Sequence, residues 1–321
     1  PAAPLGEDRG DGEGGGGGHG GPRGLLAGEN DTVVVSCREG AVSNHLQPVL
    51  DHYRVPIQYL SEPPTEWVRY EPKGKLLVLD RVFEKDGIQI PKSLIGRSVI
   101  QMPTMKTHIF TGTTGAMKNA FGGLLNLNRH WTHSVIHETL VDLLRIQKEI
   151  HPGLFAVMDG TIAGDGPGPR CMRPHVKNYI LASDDFVAID AIAAKMMGFD
   201  PMSDLKFIRL AHENGLGVGR PEEIEVVGED VRNVNFGFRG SLEENTFASW
   251  GQKLIYWGPL KPLENVLLRS PIVPWSYFAS RAYHDGYWYP AHGRARVRSI
   301  MGTPWGKLFR AYGDGRALGK G

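Results

Sequence analysis

The chain has 321 residues, 41% hydrophobic and 22% charged, with 36 basic and 35 acidic side chains and a formal net charge of +1. That length allows one large domain or two ordinary ones, with a core that needs no covalent staple. Two cysteines (Cys37 and Cys171) and no run of 18 apolar residues exclude a disulfide framework, a four-cysteine zinc site, a chain-encoded iron–sulfur cluster and a membrane-spanning helix.

Glycine is in excess at 42 residues, and eleven of these fall in the first 24 positions. Residues 1–27 hold a run of five glycines and almost no apolar side chains, so they read as a disordered head. The head has no initiator Met, which predicts a missing or processed natural N-terminus. It also lacks a charged-then-apolar signal pattern; the expectation is a cytoplasmic protein, with export left open.

Order is expected to begin at 32–37 (TVVVSC), a β-branched strand, followed by a helix through Val49 and Tyr53 that Pro48 delays. Further strands are expected at 75–80 (KLLVLD), 98–102 (SVIQM), 154–158 (LFAVM), 179–182 (YILA) and 224–227 (IEVV). Helices are expected at 133–150, 184–197 and 203–214. Strands with near-continuous apolar cores alternating with helices predict an α/β fold, a mostly parallel sheet flanked by helices. The expected domain spans 28–240. Residues 241–321 are expected to form an aromatic and basic C-terminal extension packing on it.

Residues 101–133 carry the densest polar chemistry. A strand ends near Met102, and a Thr/Gly segment leads to a helix start at Ala116. Ligands of open α/β sheets bind beyond the carboxyl ends of the strands, and a helix N-terminus offers free N–H groups to an anion. Thr111, Gly112, Thr113, Thr114 and Gly115 supply the loop, Asn119 and Arg129 lie close in sequence, and Lys106 and Lys118 add positive charge. A carboxylate or phosphate is the expected ligand; the alternative is a glycine-rich turn with capping hydroxyls. Neither a P-loop nor a dinucleotide fingerprint is present.

Six of the twelve histidines fall between 108 and 175. His133 and His137, four residues apart at the border of an apolar helical stripe, can bind a divalent metal, pair with acids or bond to backbone. Asp159 ends one strand and Asp165 lies in the Gly/Pro loop after it; both suit a metal, a proton or sugar hydroxyls, and equally Asx turns. Ser183 or Asp184 is expected to cap the helix that follows. Asp190 sits in that helix among Ala and Ile, so it needs a buried partner: Lys106, Lys118, Arg129 or a backbone N–H.

The motifs MPTMKTH (102–108), TGTTGAMKNAFGGLL (111–125), MDGTIAGDGPGP (158–169) and LASDDFVAIDAIAAKMMG (181–198) resemble the prokaryotic domain of unknown function 362 family. Weaker agreement extends the resemblance over about 32–240. Relatives carry ferredoxin-type cysteine runs, which this chain lacks, so an electron-transfer role would need a redox partner protein. A weaker similarity is to racemases with a nickel-pincer cofactor, which place a lysine in a glycine-rich loop fifteen residues before a metal-binding histidine, as Lys118 and His133 are placed. The paired glycines before that lysine are absent here.

From residue 281 to the end there are eight Lys/Arg, two Asp and seven aromatics. Such a tail stacks bases, meets anionic lipid or wraps its own domain; no nucleic-acid motif accompanies it. The sequence thus predicts an enzyme acting on a small anionic substrate, with Lys106, His108, Lys118 and Asp159 in the chemistry and a divalent metal as the cofactor to test. The alternatives are a non-catalytic carrier or maturation protein using the same pocket, or the racemase-like enzyme.

Overall fold

The computed structural model describes residues 24–31, 36–125, 128–169, 171–240, 247–268 and 281–318. Most of the strand expected at 32–37 lies outside these residues. Ser36 caps a helix instead, its hydroxyl accepting the Glu39 N–H, and Cys37 opens that helix. β1 (Ala27–Glu29) and β2 (Ile57–Tyr59) pair in parallel across α1 (Cys37–Ser43) and α2 (Leu46–Tyr53). Pro48 is the third residue of α2, in the first turn where its missing N–H costs no helical bond.

β3 (Trp67–Tyr70) pairs antiparallel with β4 (Ile88–Pro91), and the segment between them holds α3 (Leu79–Val82) rather than the strand expected at 75–80. The reason is a buried carboxylate. Asp142 accepts the N–H groups of Leu77, Val78 and Leu79 at 2.7, 2.9 and 3.0 Å, removing the donors that a sheet ladder would use. Leu76, Val78 and Leu79 are buried all the same. Their hydrophobicity signals the core, and a partner remote in sequence decides the backbone.

The central sheet comprises β5 (Val99–Gln101), β6 (Thr104–His108), β7 (Gly112–Thr113), β8 (Leu154–Asp165) and β9 (Arg173–Ser183). β5 and β6 both run parallel to β8, at Val99↔Leu154 and Thr104↔Asp159, so they follow one another along one edge of it. β9 covers the other edge antiparallel, and β7 folds back on β6 through Gly112, whose φ of +77° suits glycine. α4 (Ala116–Gly123), α5 (Ile136–Ile150), α6 (Phe186–Met197) and α7 (Lys206–Glu213) complete an α/β fold with a mixed sheet. The strand expected at 224–227 does not form. A 3₁₀ turn starting at Pro221 precedes it, no strand pairs with it, and Val227 is 89% exposed.

α6 is apolar apart from Asp190 and Lys195 and buries eleven of its twelve residues, which packs it at the centre of the core. Asp185 caps it, accepting the Val187 and Ala188 N–H groups at 2.8 and 3.0 Å, in place of the expected Ser183 or Asp184. Ser183 instead accepts the Asp185 N–H. Gly198 closes the helix at φ +109°.

Beyond residue 240 lie α8 (Phe247–Tyr256), α9 (Glu264–Leu268), a π-helical segment (His284–Gly293), α10 (Arg294–Met301) and α11 (Pro304–Gly313). Three side chains tie these to the sheet and helices before them. Trp257 donates to the Ser134 carbonyl at 3.0 Å, Arg296 to that of Met172 at 3.1 Å, and Trp305 to the Asn178 side chain at 2.6 Å.

Candidate functional site

β6 alternates, as a strand must. Met105 enters the apolar core, while Thr104, Lys106 and His108 share the other face. At its carboxyl end this face meets Lys118 from the first turns of α4, His133 from a 3₁₀ segment (Arg129–Val135) and His137 from the start of α5. The five basic groups form one electrostatic cluster. His108 is held well below the ordinary histidine range by burial, and then by Lys118, His133, Lys106 and His137. Burial, with Lys106 adding to it, pushes Lys118 down to about 7; burial alone lowers Lys106. His133 is pushed down to about 3 by burial, against a hydrogen bond to His130 and with Lys118. No carboxylate is among the charges acting on these four, and neither lysine is ion-paired among the described residues.

The histidine protons are assigned by their partners. His108 Nδ1 accepts the Phe110 N–H at 3.1 Å, so the neutral ring carries its proton at Nε2. His133 Nδ1 donates to the His130 carbonyl at 2.9 Å, leaving a lone pair on Nε2. His137 is pushed down to about 4 by burial, with Glu138 opposing, and its Nδ1 is buried without a partner. The two metal-ligand candidates do not share one α-helical face, because the α-helix begins only at Ile136. His133 rests on Phe110, Phe121 and Tyr256 at ring separations of 5.4, 5.5 and 5.6 Å, and His137 rests on Phe207 at 6.3 Å. Among the described residues no three His, Cys, Asp or Glu side chains gather as a metal site.

Aromatic rings cover part of the cluster. Tyr256, at the end of α8, is buried and stacks on His133 with planes 20° apart; Trp257 closes on Phe110 at 5.8 Å. Lys118 Nζ lies 5.6 Å from the Phe121 ring, a favourable placement for a cation. Phe110, Phe121, Tyr256 and Trp257 were not among the residues singled out from sequence. Phe110 and Phe121 lie inside the polar segment 101–133, and the signal for Tyr256 and Trp257 is the change to aromatic texture after residue 240.

The remaining sequence candidates serve the fold around the cluster. Thr111 donates to the Thr113 carbonyl at 2.7 Å and Thr114 to that of Thr104 at 3.2 Å, while Thr113 Oγ1 is buried without a partner. Asn119 is exposed on α4. Arg129 is buried and donates to the Asp31 carbonyl. Asp159 is exposed in an Asx turn, accepting the Thr161 N–H and hydroxyl at 2.8 and 2.7 Å. Asp165 accepts the N–H groups of Gly166, Arg239 and Gly240 at 2.8, 3.1 and 2.8 Å and pairs with Arg173 at 3.1 Å, which pins residues 239–240 to the end of β8.

Asp190 carries the clearest local result. Its two oxygens accept the N–H groups of Ala116 and Met117 at 2.6 and 3.1 Å, so the N-terminus of α4 holds the protein's own carboxylate. Of the expected partners, the backbone N–H groups are the ones used. Burial pushes its pKa up to about 7, against these two bonds. A Cβ at Gly115 would stand 2.0 Å from Asp190 Oδ1, which is why residue 115 is glycine.

A domain-of-unknown-function model, DUF362, matches residues 18–195. A thylakoid-associated protein of Synechocystis sp. (strain ATCC 27184 / PCC 6803 / Kazusa) is 30% identical over 110 residues, 32% of this chain and 33% of that protein. The chain thus spans about a third of the length of that relative. No solved structure matches, and no helix among the described residues is long and apolar enough to cross a membrane. The family model reaches from before β1 to the last turn of α6 and so takes in β6, α4, both histidines and Asp190: the chain belongs to the DUF362 family.

Proposed function

We propose that the basic cluster at the end of β6 binds a small anion, a carboxylate or phosphate, and that Lys118 acts there as a proton-transfer group on an enzyme substrate. The observation that supports this most directly is the composition of the cluster: Lys106, Lys118, His108 and His133 lie together with no carboxylate acting on them, and Glu138 acts only on His137. Placing like charges together away from water is costly, and a bound anion removes that cost. A lysine near neutrality exists in both protonation states at working pH, which is what general acid–base chemistry requires. His108 belongs to the same cluster of basic groups. Asp190 on the α4 N-terminus leaves the lysines and histidines, rather than the helix end, as the anion's partners.

The reading is tested by titrating the full chain with inorganic phosphate, acetate and chloride at constant ionic strength and following thermal unfolding. Phosphate or acetate should raise the midpoint in a saturable way that chloride does not reproduce, and Lys118→Met should remove the effect. Equal responses to all three salts would overturn the proposal. Turnover of any carboxylate or phosphate ester lost in Lys118→Met, with anion binding restored in Lys118→Arg but turnover not, would separate catalysis from carriage.

A further inference from the structure

A cavity of about 330 Å³ opens between the sheet and the C-terminal segment, in contact with Lys106 but with walls unlike those of the basic cluster. Ile162 and Met172 form its sheet side, and Trp288 and Val297 its outer side. The basic side chains that line it are Lys106, His284 and Arg296. Two of these are engaged. His284 meets Asp285 at 2.7 Å, and Arg296 donates to the Met172 carbonyl at 3.1 Å while lying 5.3 Å from the Trp288 ring. Lys106, by contrast, has no hydrogen-bonded or ion-paired partner among the described residues. A partly buried ammonium at one end of an apolar chamber is a site in need of a negative group attached to an apolar body. The chamber volume is at the small end of ligand pockets, which fits one or two rings rather than a nucleotide. Trp288, stacked on His284 at 5.2 Å with planes 24° apart, contributes aromatic surface to the wall, against which an apolar ring packs favourably.

We propose that this cavity takes the ring of a small aromatic carboxylic acid, whose carboxylate lies at Lys106. The inference rests on the anion-binding reading above and deepens it, giving the anion an aromatic body lodged under Trp288. Val297 is 47% exposed on α10, so a larger side chain there fills the chamber from its open side without disturbing the core.

The experiment compares 2-naphthoate, acetate and inorganic phosphate by calorimetric titration of the full chain, with circular dichroism confirming that each variant is folded. Naphthoate should bind about tenfold or more tightly than acetate, because the apolar ring leaves water. The naphthoate-to-acetate ratio should collapse to about one in both Val297→Trp and Trp288→Ala. Lys106→Met should weaken naphthoate by about tenfold or more, the loss of a charge-assisted contact. A wild-type ratio near one with acetate and phosphate still bound overturns this inference alone. A ratio unchanged in both outer-wall variants also overturns it. Failure of all three ligands to bind overturns the anion site with it.

Discussion

Gly115 and Asp190 are 75 positions apart and in contact: the carboxylate stands where a Cβ of residue 115 would be, 2.0 Å from the ideal position. The contact locks the start of α4, and with it Lys118 one turn later, onto the central helix α6. Gly115→Ala must therefore expel Asp190 from the Ala116 and Met117 N–H groups. A loss of ~3–5 kcal/mol in denaturant-derived stability is expected, typical of a buried carboxylate stripped of its partners. Asp190→Asn, which keeps one acceptor oxygen, should cost less. Equal stability of Gly115→Ala and wild type would show that the cap is not maintained in solution.

Asp142 repeats the arrangement on α5, where three N–H groups converge on one buried carboxylate. Asp142→Ala should destabilise by ~3–5 kcal/mol, and hydrogen exchange should speed up at Leu77, Val78 and Leu79 before it does in the central sheet. Uniform exchange across both regions would mean that the segment is held by packing alone.

Lys118 gives a pH dependence with a definite sign. Its folded pKa of about 7 is below the ordinary 10.5, so between those values the unfolded chain binds the extra proton. Stability should therefore rise as pH increases from about 7 towards 10.5, and the cost of the charged form is fully present below 7. Comparing urea midpoints of wild type and Lys118→Met across this window isolates the effect. The difference between the two should shrink as pH rises, and a difference independent of pH would contradict the buried placement.

The histidines act on the acid side. His133 and His137, at about 3 and 4, stay neutral in the folded protein when the unfolded chain has already taken up protons below 6.5. Their contribution is present above 6.5 and lost as pH falls towards 3. His133→Gln should flatten the acid limb of the stability profile. Its folded-state titration, followed by NMR, should show no protonation at pH 5.

Tyr256→Ala removes a buried ring from the cover over His133. Stability should fall by ~3–5 kcal/mol, and the Lys118 pKa, followed by the pH dependence of its reductive methylation, should climb back towards 10.5 as water enters. An unchanged Lys118 titration would place the source of its shift elsewhere.

Much of the site was legible along the chain because its polar residues are local. Lys106, His108, Lys118, His133 and His137 fall within 32 positions, and strand alternation alone puts Lys106 and His108 on one face. The i, i+4 relation of the two histidines was misleading because a 3₁₀ segment, not the helix, carries the first of them. The aromatic cover was invisible, since Tyr256 reaches His133 across 123 positions and nothing local marks the meeting.

The amino-acid sequence by itself determined the class of fold and the apolar helix α6. These follow from periodicity and composition. Tertiary structure alone decided which carboxylates are spent on backbone: Asp142, Asp165, Asp185 and Asp190 each accept at least one N–H from a residue far away in sequence. Only that allocation leaves the half-buried lysines without an ion-paired carboxylate among the described residues. The physical reason is that a buried carboxylate takes whatever donors the packed chain brings to it, and sequence distance carries no record of that choice.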